Sequence, residues 1–234
     1  MFSLPSKSLL VLDREQPVPT TKVPPVPAVT DLVGYDALVQ FLRREGLDRL
    51  DGDFLEIGCF LGGGTAKLAR LARATGKLVW VIDVFDPGFD LTKNTNGDQM
   101  ADLYRGYLQS SSQEEIFRRV TEPWADCIRV IQEDSRKAHL PERTRLAFGF
   151  GDGNHDPIWV KSDFHLIWSH LLPGGWAGFH DYGGDLPEVT AALDSLMREH
   201  ASEIERVEMM KERWVLLLKK RGDSTILTSK DSQQ

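Results

Sequence analysis

Apolar residues along this chain follow two alternating rhythms. From Asp31 to Gly46, the residues Leu32, Tyr35, Leu38, Val39 and Leu42 recur at the spacing of one helical face, with Asp31 placed as N-cap and Gly46 as stop. Phe54-Leu55-Glu56-Ile57 then reads as a short strand, followed by a glycine-rich turn and a helix from about Thr65 to Thr75 that Gly76 halts. The runs Leu78 to Ile82, Cys127 to Ile131, Leu146 to Phe150 and Trp176 to Phe179 are brief, continuous and apolar, as buried strands are. Helices are predicted from Pro157 to about Leu172 and from Pro187 to near His200, since proline costs no hydrogen bond in a first turn. Ile204 to Met210 and Trp214 to Leu218 form a closing strand pair about Lys211-Glu212-Arg213. Strands alternating with helices imply crossover units. The fold class is therefore α/β, a Rossmann-like, doubly wound, mostly parallel sheet with a C-terminal antiparallel hairpin.

Three segments stand apart from this rhythm. Six of the twelve prolines precede residue 28, which excludes a helix or central strand there and marks residues 1–30 as a proline-rich arm. Residues 221–234 are polar and aperiodic, the pattern of a fraying tail. Within the core domain, 31–220, the stretch 86–126 is too long for a simple connection; it holds a polar run, Thr92 to Asp98, and an amphipathic piece, Gln99 to Leu108. Long insertions of this kind often act as substrate lids, the alternative being a surface decoration.

Composition narrows the function classes. With 41% hydrophobic and 27% charged residues the chain is an ordinary globular one, and a net charge of −7 argues against gripping nucleic acid through the overall field. Two cysteines, Cys59 and Cys127, have no metal or disulfide spacing, and no apolar run reaches membrane-spanning length or that of a secretory leader. These features predict a cytoplasmic protein with no nucleic-acid or membrane partner; homo-oligomer formation stays open.

In an open α/β sheet ligands bind beyond the carboxyl ends of the strands, so the residues after each strand carry the chemistry. Gly58-Cys59-Phe60-Leu61-Gly62-Gly63-Gly64 follows the first strand and lets backbone approach a ligand at a helix N-terminus. It departs from G-x-G-x-x-G at Phe60 and lacks the lysine of a phosphate-binding loop, which disfavours pyrophosphate. Asp83, after the second strand, stands where an acidic side chain accepts hydrogen bonds from a ribose diol.

The ordered set Glu56-x-Gly58-x-x-x-Gly62, Asp83, Glu133-Asp134-Ser135, Asp152-Gly153-Asn154-His155 and Pro173-Gly174-Gly175 leading into Phe179-His180-Asp181-Tyr182 resembles class I S-adenosylmethionine-dependent methyltransferases. Within these it is similar to the metal-dependent small-molecule O-methyltransferases of the catechol and macrolide-sugar type, over roughly residues 54–197. The resemblance implies that Glu56, Gly58 and Gly62 face the methionine part of the cofactor, Asp83 the ribose, and Asp134 and Ser135 the rim of the adenine pocket. It also implies a histidine or lysine at the offset of His155 as general base.

Asp152 and Asp181 follow strands that would be sheet neighbours, so their carboxylates can converge on the ligand edge. Hard oxygen donors of this kind suit Mg²⁺. A metal would lower the pKa of an acceptor hydroxyl, and His155, titrating near neutrality, would remove its proton before in-line attack on the sulfonium methyl. His180 is a departure, because the metal-dependent relatives often carry an acid beside the second aspartate; strand alternation lets it point into the sheet's packing or serve as a third ligand. Asp156 reads as an N-cap, His165 and His170 as structural, and Trp159, Trp168 and Trp176 as packing residues rather than a substrate box. The expected activity is Mg-assisted O-methylation of a small hydroxylated molecule; the alternatives are a cofactor-binding module without catalysis and a metal-independent methyltransferase.

Overall fold

The computed structural model describes residues 28–222 except Gln109. Most of the proline-rich arm and nearly all of the polar tail therefore lie outside the described residues.

Seven strands form one sheet: β1 Asp53–Ile57, β2 Val79–Ile82, β3 Ile128–Ile131, β4 Leu146–Gly151, β5 Leu171–Phe179, β6 Ile204–Met210 and β7 Val215–Lys220. Their order is β3-β2-β1-β4-β5-β7-β6. The first five are parallel, whereas β7 runs antiparallel between β5 and β6, as expected for the C-terminal hairpin. Because side chains alternate across a strand, Phe54, Phe148, Phe150 and Leu217 enter one core layer and Leu55, Ile57, Leu216 and Leu218 the other. Helices α1 (Tyr35–Arg44) and α2 (Gly63–Ala74) cover the first layer; α5 (Pro157–His170) and α6 (Pro187–Glu199) cover the second. Coverage of both faces is why these strands read as unbroken apolar runs. Each fully buried phenylalanine, such as Phe54 or Phe148, contributes roughly 1.5–3 kcal/mol by leaving water.

Three boundaries differ from expectation. The helix predicted from Asp31 begins at Tyr35, but Asp31 still serves its start, since its carboxylate accepts the N–H groups of Val33, Gly34 and Tyr35 at 3.0, 2.7 and 2.8 Å. β5 starts at Leu171, so Pro173-Gly174-Gly175 lies inside a strand; an irregular register between Leu146 and Phe148 accommodates it. The 86–126 insertion holds two helices, α3 (Met100–Arg105) and α4 (Gln113–Thr121), and a 3₁₀ turn over Glu122–Cys127. The second of these helices was signalled by Ser112 and Glu115, which form a reciprocal capping box ahead of the buried Ile116 and Phe117.

Candidate active site

A cavity of about 260 Å³ opens where the parallel strands end, bounded by the turns after β1, β2, β3, β4 and β5. The turn after β1 fits only with glycine at its start: Gly58 has φ +80°, and a Cβ there would lie 2.0 Å from the Asp152 carbonyl oxygen. That close approach brings the β1 and β4 turns together. Gly62, with φ +86°, sits at the N-cap of α2 and packs against Phe117, outside the cavity lining.

Glu56 is buried at 1% exposure on the cavity wall, where it accepts hydrogen bonds from the hydroxyls of Thr65 and Tyr35. Burial dominates these bonds and pushes its carboxyl up to about 8. Asp83 also lines the cavity; its oxygens accept from the N–H of Cys59 at 2.8 Å, the N–H of Phe85 at 2.6 Å and the Gln113 amide at 3.3 Å. Burial raises its carboxyl, against the pull of those donors. Ser135 lines the cavity and bonds to the buried Asp163. Asp134 faces elsewhere: it pairs with Arg136 at 2.7 Å and accepts from the Trp159 indole at 3.1 Å, and Glu133 takes the place on the wall. Trp159, expected as a packing residue only, is itself part of the wall, with the Arg136 guanidinium 3.6 Å above its ring.

Beyond β4 and β5 five side chains form a chain of alternating acid and imidazole. Asp90 meets His155 Nδ1 at 2.5 Å, His155 Nε2 meets Asp181 at 2.8 Å, and His180 Nδ1 lies 3.0 Å from Asp181 and 3.1 Å from Asp152. Burial pulls the His155 imidazole down, but Asp181 and Asp90 more than reverse this and leave it pushed up to about 10. The same opposition leaves His180 pushed up to about 11 by Asp152 and Asp181. Asp181, although buried, is held well below the usual carboxylate range by the two imidazoles. His180, Asp152 and Asp181 line the cavity, whereas His155 lies behind its wall in a smaller recess shared with Asp163. Asp90, from the insertion, was not among the expected site residues; a single acid between Phe89 and Leu91 carries no periodic signal.

Phe60 and the insertion's Tyr104 and Tyr107 also line the cavity, with the tyrosine ring centroids 6.0 and 5.3 Å from that of Phe60.

A family model described as a methyltransferase domain matches residues 55–182. The chain belongs to this family. The protein is thus a methyltransferase with S-adenosylmethionine as methyl donor. Its fold is similar to that of the O-methyltransferase NovP, with a TM-score of 0.64 at 19% identity over 81% of this chain and 80% of that one. It is also similar to the calicheamicin methyltransferase CalS11, with a TM-score of 0.57 at 16% identity over 78% and 77%. An apo structure of CalS11, described as a TDP-rhamnose 3'-O-methyltransferase, gives 0.54 at 17% identity over the same shares. At these identities the likeness concerns the fold. No curated protein sequence matches the chain.

Donor atoms of Asp152, His155 and Asp181 lie within 4.8 Å of one another. The point between the Asp152 and Asp181 oxygens is already a cation position, since the His180 Nδ1–H points at both. Two carboxylates converging on one such point suit a hard cation, so the residues fit. Among the described residues no helix is long and apolar enough to cross a membrane.

Proposed function

We propose that this methyltransferase transfers the methyl group of S-adenosylmethionine to a hydroxyl oxygen of a small molecule, assisted by Mg²⁺. The observation that supports this most is the Asp152–His180–Asp181 cluster on the wall of the same cavity as Gly58, Glu56 and Asp83. In this reading Glu56 and the turn at Gly58 receive the methionine part of the cofactor, Asp83 the ribose, and Ser135 the rim of the adenine. Gly62 contributes through the bend that starts α2, and Asp134 by holding Trp159.

Asp152 and Asp181 would hold the cation, which supplies a lower pKa to an acceptor hydroxyl bound beside it. The protein's own part is placement. His155, with both nitrogens taken by carboxylates, acts by fixing Asp181 rather than by meeting substrate, which revises its expected role as base. His180, on the cavity wall, would take the acceptor's proton in its neutral form, which a cation standing between Asp152 and Asp181 in place of the imidazolium proton would favour. In the metal-free protein His180 is a cation up to about 11, so turnover without metal should rise steadily from pH 7 into the alkaline range. Tyr104 on α3 and Tyr107 just after it line the same cavity, and in this reading they would shield the reacting groups from water.

The test is calorimetric titration with S-adenosylhomocysteine, with and without Mg²⁺, followed by turnover of hydroxylated acceptors in Mg²⁺ and in EDTA. Cofactor binding independent of metal and turnover dependent on it are expected. Equal turnover in EDTA removes the metal and leaves the His180-based, metal-independent reading; absent turnover with intact cofactor binding favours a non-catalytic binding module.

A further inference from the structure

We propose that the side-chain amide of Gln113 stands in for the cofactor's ribose on Asp83 and is displaced when the cofactor binds, which makes Gln113 a positioning residue that sets how strictly the site demands both ribose hydroxyls. The inference rests on the reading that Asp83 receives the ribose, and adds to it a residue supplied by the insertion.

Gln113 opens α4 directly after the Ser112 N-cap and is 8% exposed, on the cavity wall. A polar side chain buried in this way needs partners for its amide. Nε2 donates to the Phe60 carbonyl oxygen at 3.0 Å and to both Asp83 oxygens at 3.3 Å. All three are acceptors, so the amide nitrogen and not its oxygen belongs there. A donor equally far from the two oxygens of a carboxylate, and bonded to each, lies on the open edge between them. Other donors take the remaining lone pairs: the N–H of Phe85 reaches Oδ1 at 2.6 Å, and the N–H and Sγ of Cys59 reach Oδ2 at 2.8 and 3.2 Å.

A ribose diol that gives one hydroxyl to each carboxylate oxygen needs that same open edge. Phe85 and Cys59 donate from backbone fixed by the turns after β2 and β1, whereas Gln113 reaches Asp83 through rotatable side-chain bonds and shares one N–H between two oxygens at the longest of these distances. Gln113 is therefore the donor that yields. α4 need not move, since the buried Ile116 and Phe117 and the capping box hold it. The second N–H of the amide keeps the carbonyl of Phe60, whose backbone is in the left-handed region at φ +48°. A ligand with a single ribose hydroxyl would leave one Asp83 oxygen to the amide, so Gln113 softens the penalty for the missing hydroxyl.

Calorimetry with S-adenosylhomocysteine, and with its analogue lacking one ribose hydroxyl, tests this in the wild type, Gln113→Leu and Gln113→Asn. The leucine cannot donate, and the asparagine is one methylene too short to span Asp83 and Phe60. Mildly alkaline buffer keeps Asp83 ionised once the pull of Gln113 on its raised carboxyl is gone. Both variants should bind S-adenosylhomocysteine about threefold to tenfold more tightly than the wild type, and the deoxy analogue should lose more affinity in them than in the wild type. In isotope-labelled wild type, the Gln113 side-chain amide signals, assigned by their loss in the variants, should shift with S-adenosylhomocysteine and stay in place with adenine alone. Equal or weaker S-adenosylhomocysteine binding in a folded variant overturns the inference, as do amide signals that saturating S-adenosylhomocysteine leaves unmoved or that adenine moves equally. Failure of the wild type to bind S-adenosylhomocysteine is a different result, and overturns the functional reading beneath it.

Discussion

Asp163 offers the sharpest test of the electrostatics around the site. It lies on α5 at 3% exposure, bonded to Ser135 through one oxygen, while Oδ1 has no partner among the described residues. Burial pushes its carboxyl up to about 7, Asp134 adds to the rise, and Ser135 and His155 oppose it. In the unfolded chain the same group ionises near 3.8. A group raised in this way contributes stability that is complete below 3.8 and lost as pH climbs through about 7, at roughly 1.4 kcal/mol per pH unit between the two. From pH 5 to pH 8 the loss is therefore on the order of 2–3 kcal/mol. Asp163→Asn keeps the size and the acceptor for Ser135 and cannot ionise. Urea unfolding of both proteins, followed by tryptophan fluorescence at pH 5 and pH 8, should show the variant gaining that amount on the wild type as pH rises. A difference between the two proteins that is the same at both pH values would refute the reasoning, because it would mean that Asp163 ionises as freely when folded as when unfolded.

Other consequences follow from the same geometry. His155→Asn leaves Asp90 and Asp181 facing each other without their cation, so in EDTA it should cost about 3–5 kcal/mol of unfolding free energy. Because His155 lies behind the wall, S-adenosylhomocysteine affinity should stay within about twofold, and a loss of cofactor binding in a folded variant would place His155 in the cavity after all. Cofactor binding should quench tryptophan fluorescence chiefly through Trp159, which lines the cavity and is pinned by Asp134 and Arg136; an undiminished quench in Trp159→Phe would count against that placement. Glu56 is protonated up to about 8 in the free protein, and the cationic cofactor favours its ionised form, so S-adenosylmethionine should bind more tightly from pH 7 to pH 9 with release of a proton. Calorimetry at pH 7 in two buffers of different ionisation enthalpy counts that proton, and a count of zero excludes Glu56 as the group that meets the cofactor's charge.

The sheet was legible in the sequence because helices cover both of its faces, which makes the strands continuous apolar runs bounded by turn residues. The strand order was not read from the sequence; only the adjacency of the strands that carry Asp152 and Asp181 at their ends was, and β4 and β5 are indeed neighbours. The insertion was harder to read. Its second half joins the core through Ile116 and Phe117 on α4, but only two apolar residues with a capping box announce that, and a polar run precedes them. Asp90, which completes the acid and imidazole chain, lies just before that run, between Phe89 and Leu91, and is recruited by tertiary contact with His155 across 65 positions.

The two imidazoles show where period-based reading of a site stops. His155 follows Asp152 by three positions and was the natural base; His180 was left either to point away into the sheet's packing, as neighbours on a strand do, or to serve as a third ligand. The alternation holds only while the backbone stays extended. β5 ends at Phe179, and Asp181 adopts φ +60°, the left-handed region, which turns the chain back on itself. Both His180 and Asp181 then reach the same point, 3.0 Å apart, while His155 is drawn behind them between two carboxylates. A non-glycine residue costs of order 1 kcal/mol or more to hold in that conformation, and Asp181 recovers it in hydrogen bonds from two imidazoles. The exchange of roles we propose for the histidines therefore depends on one backbone angle. Asp181→Gly should keep the turn but lose the acid, whereas Asp181→Asn should keep the turn and one acceptor. If His180 is placed by Asp181 as the structure implies, its NMR titration in EDTA should fall from about 11 toward the ordinary imidazole value in both variants, further in the glycine one; a His180 titration unmoved by either would mean that Asp152 alone holds it.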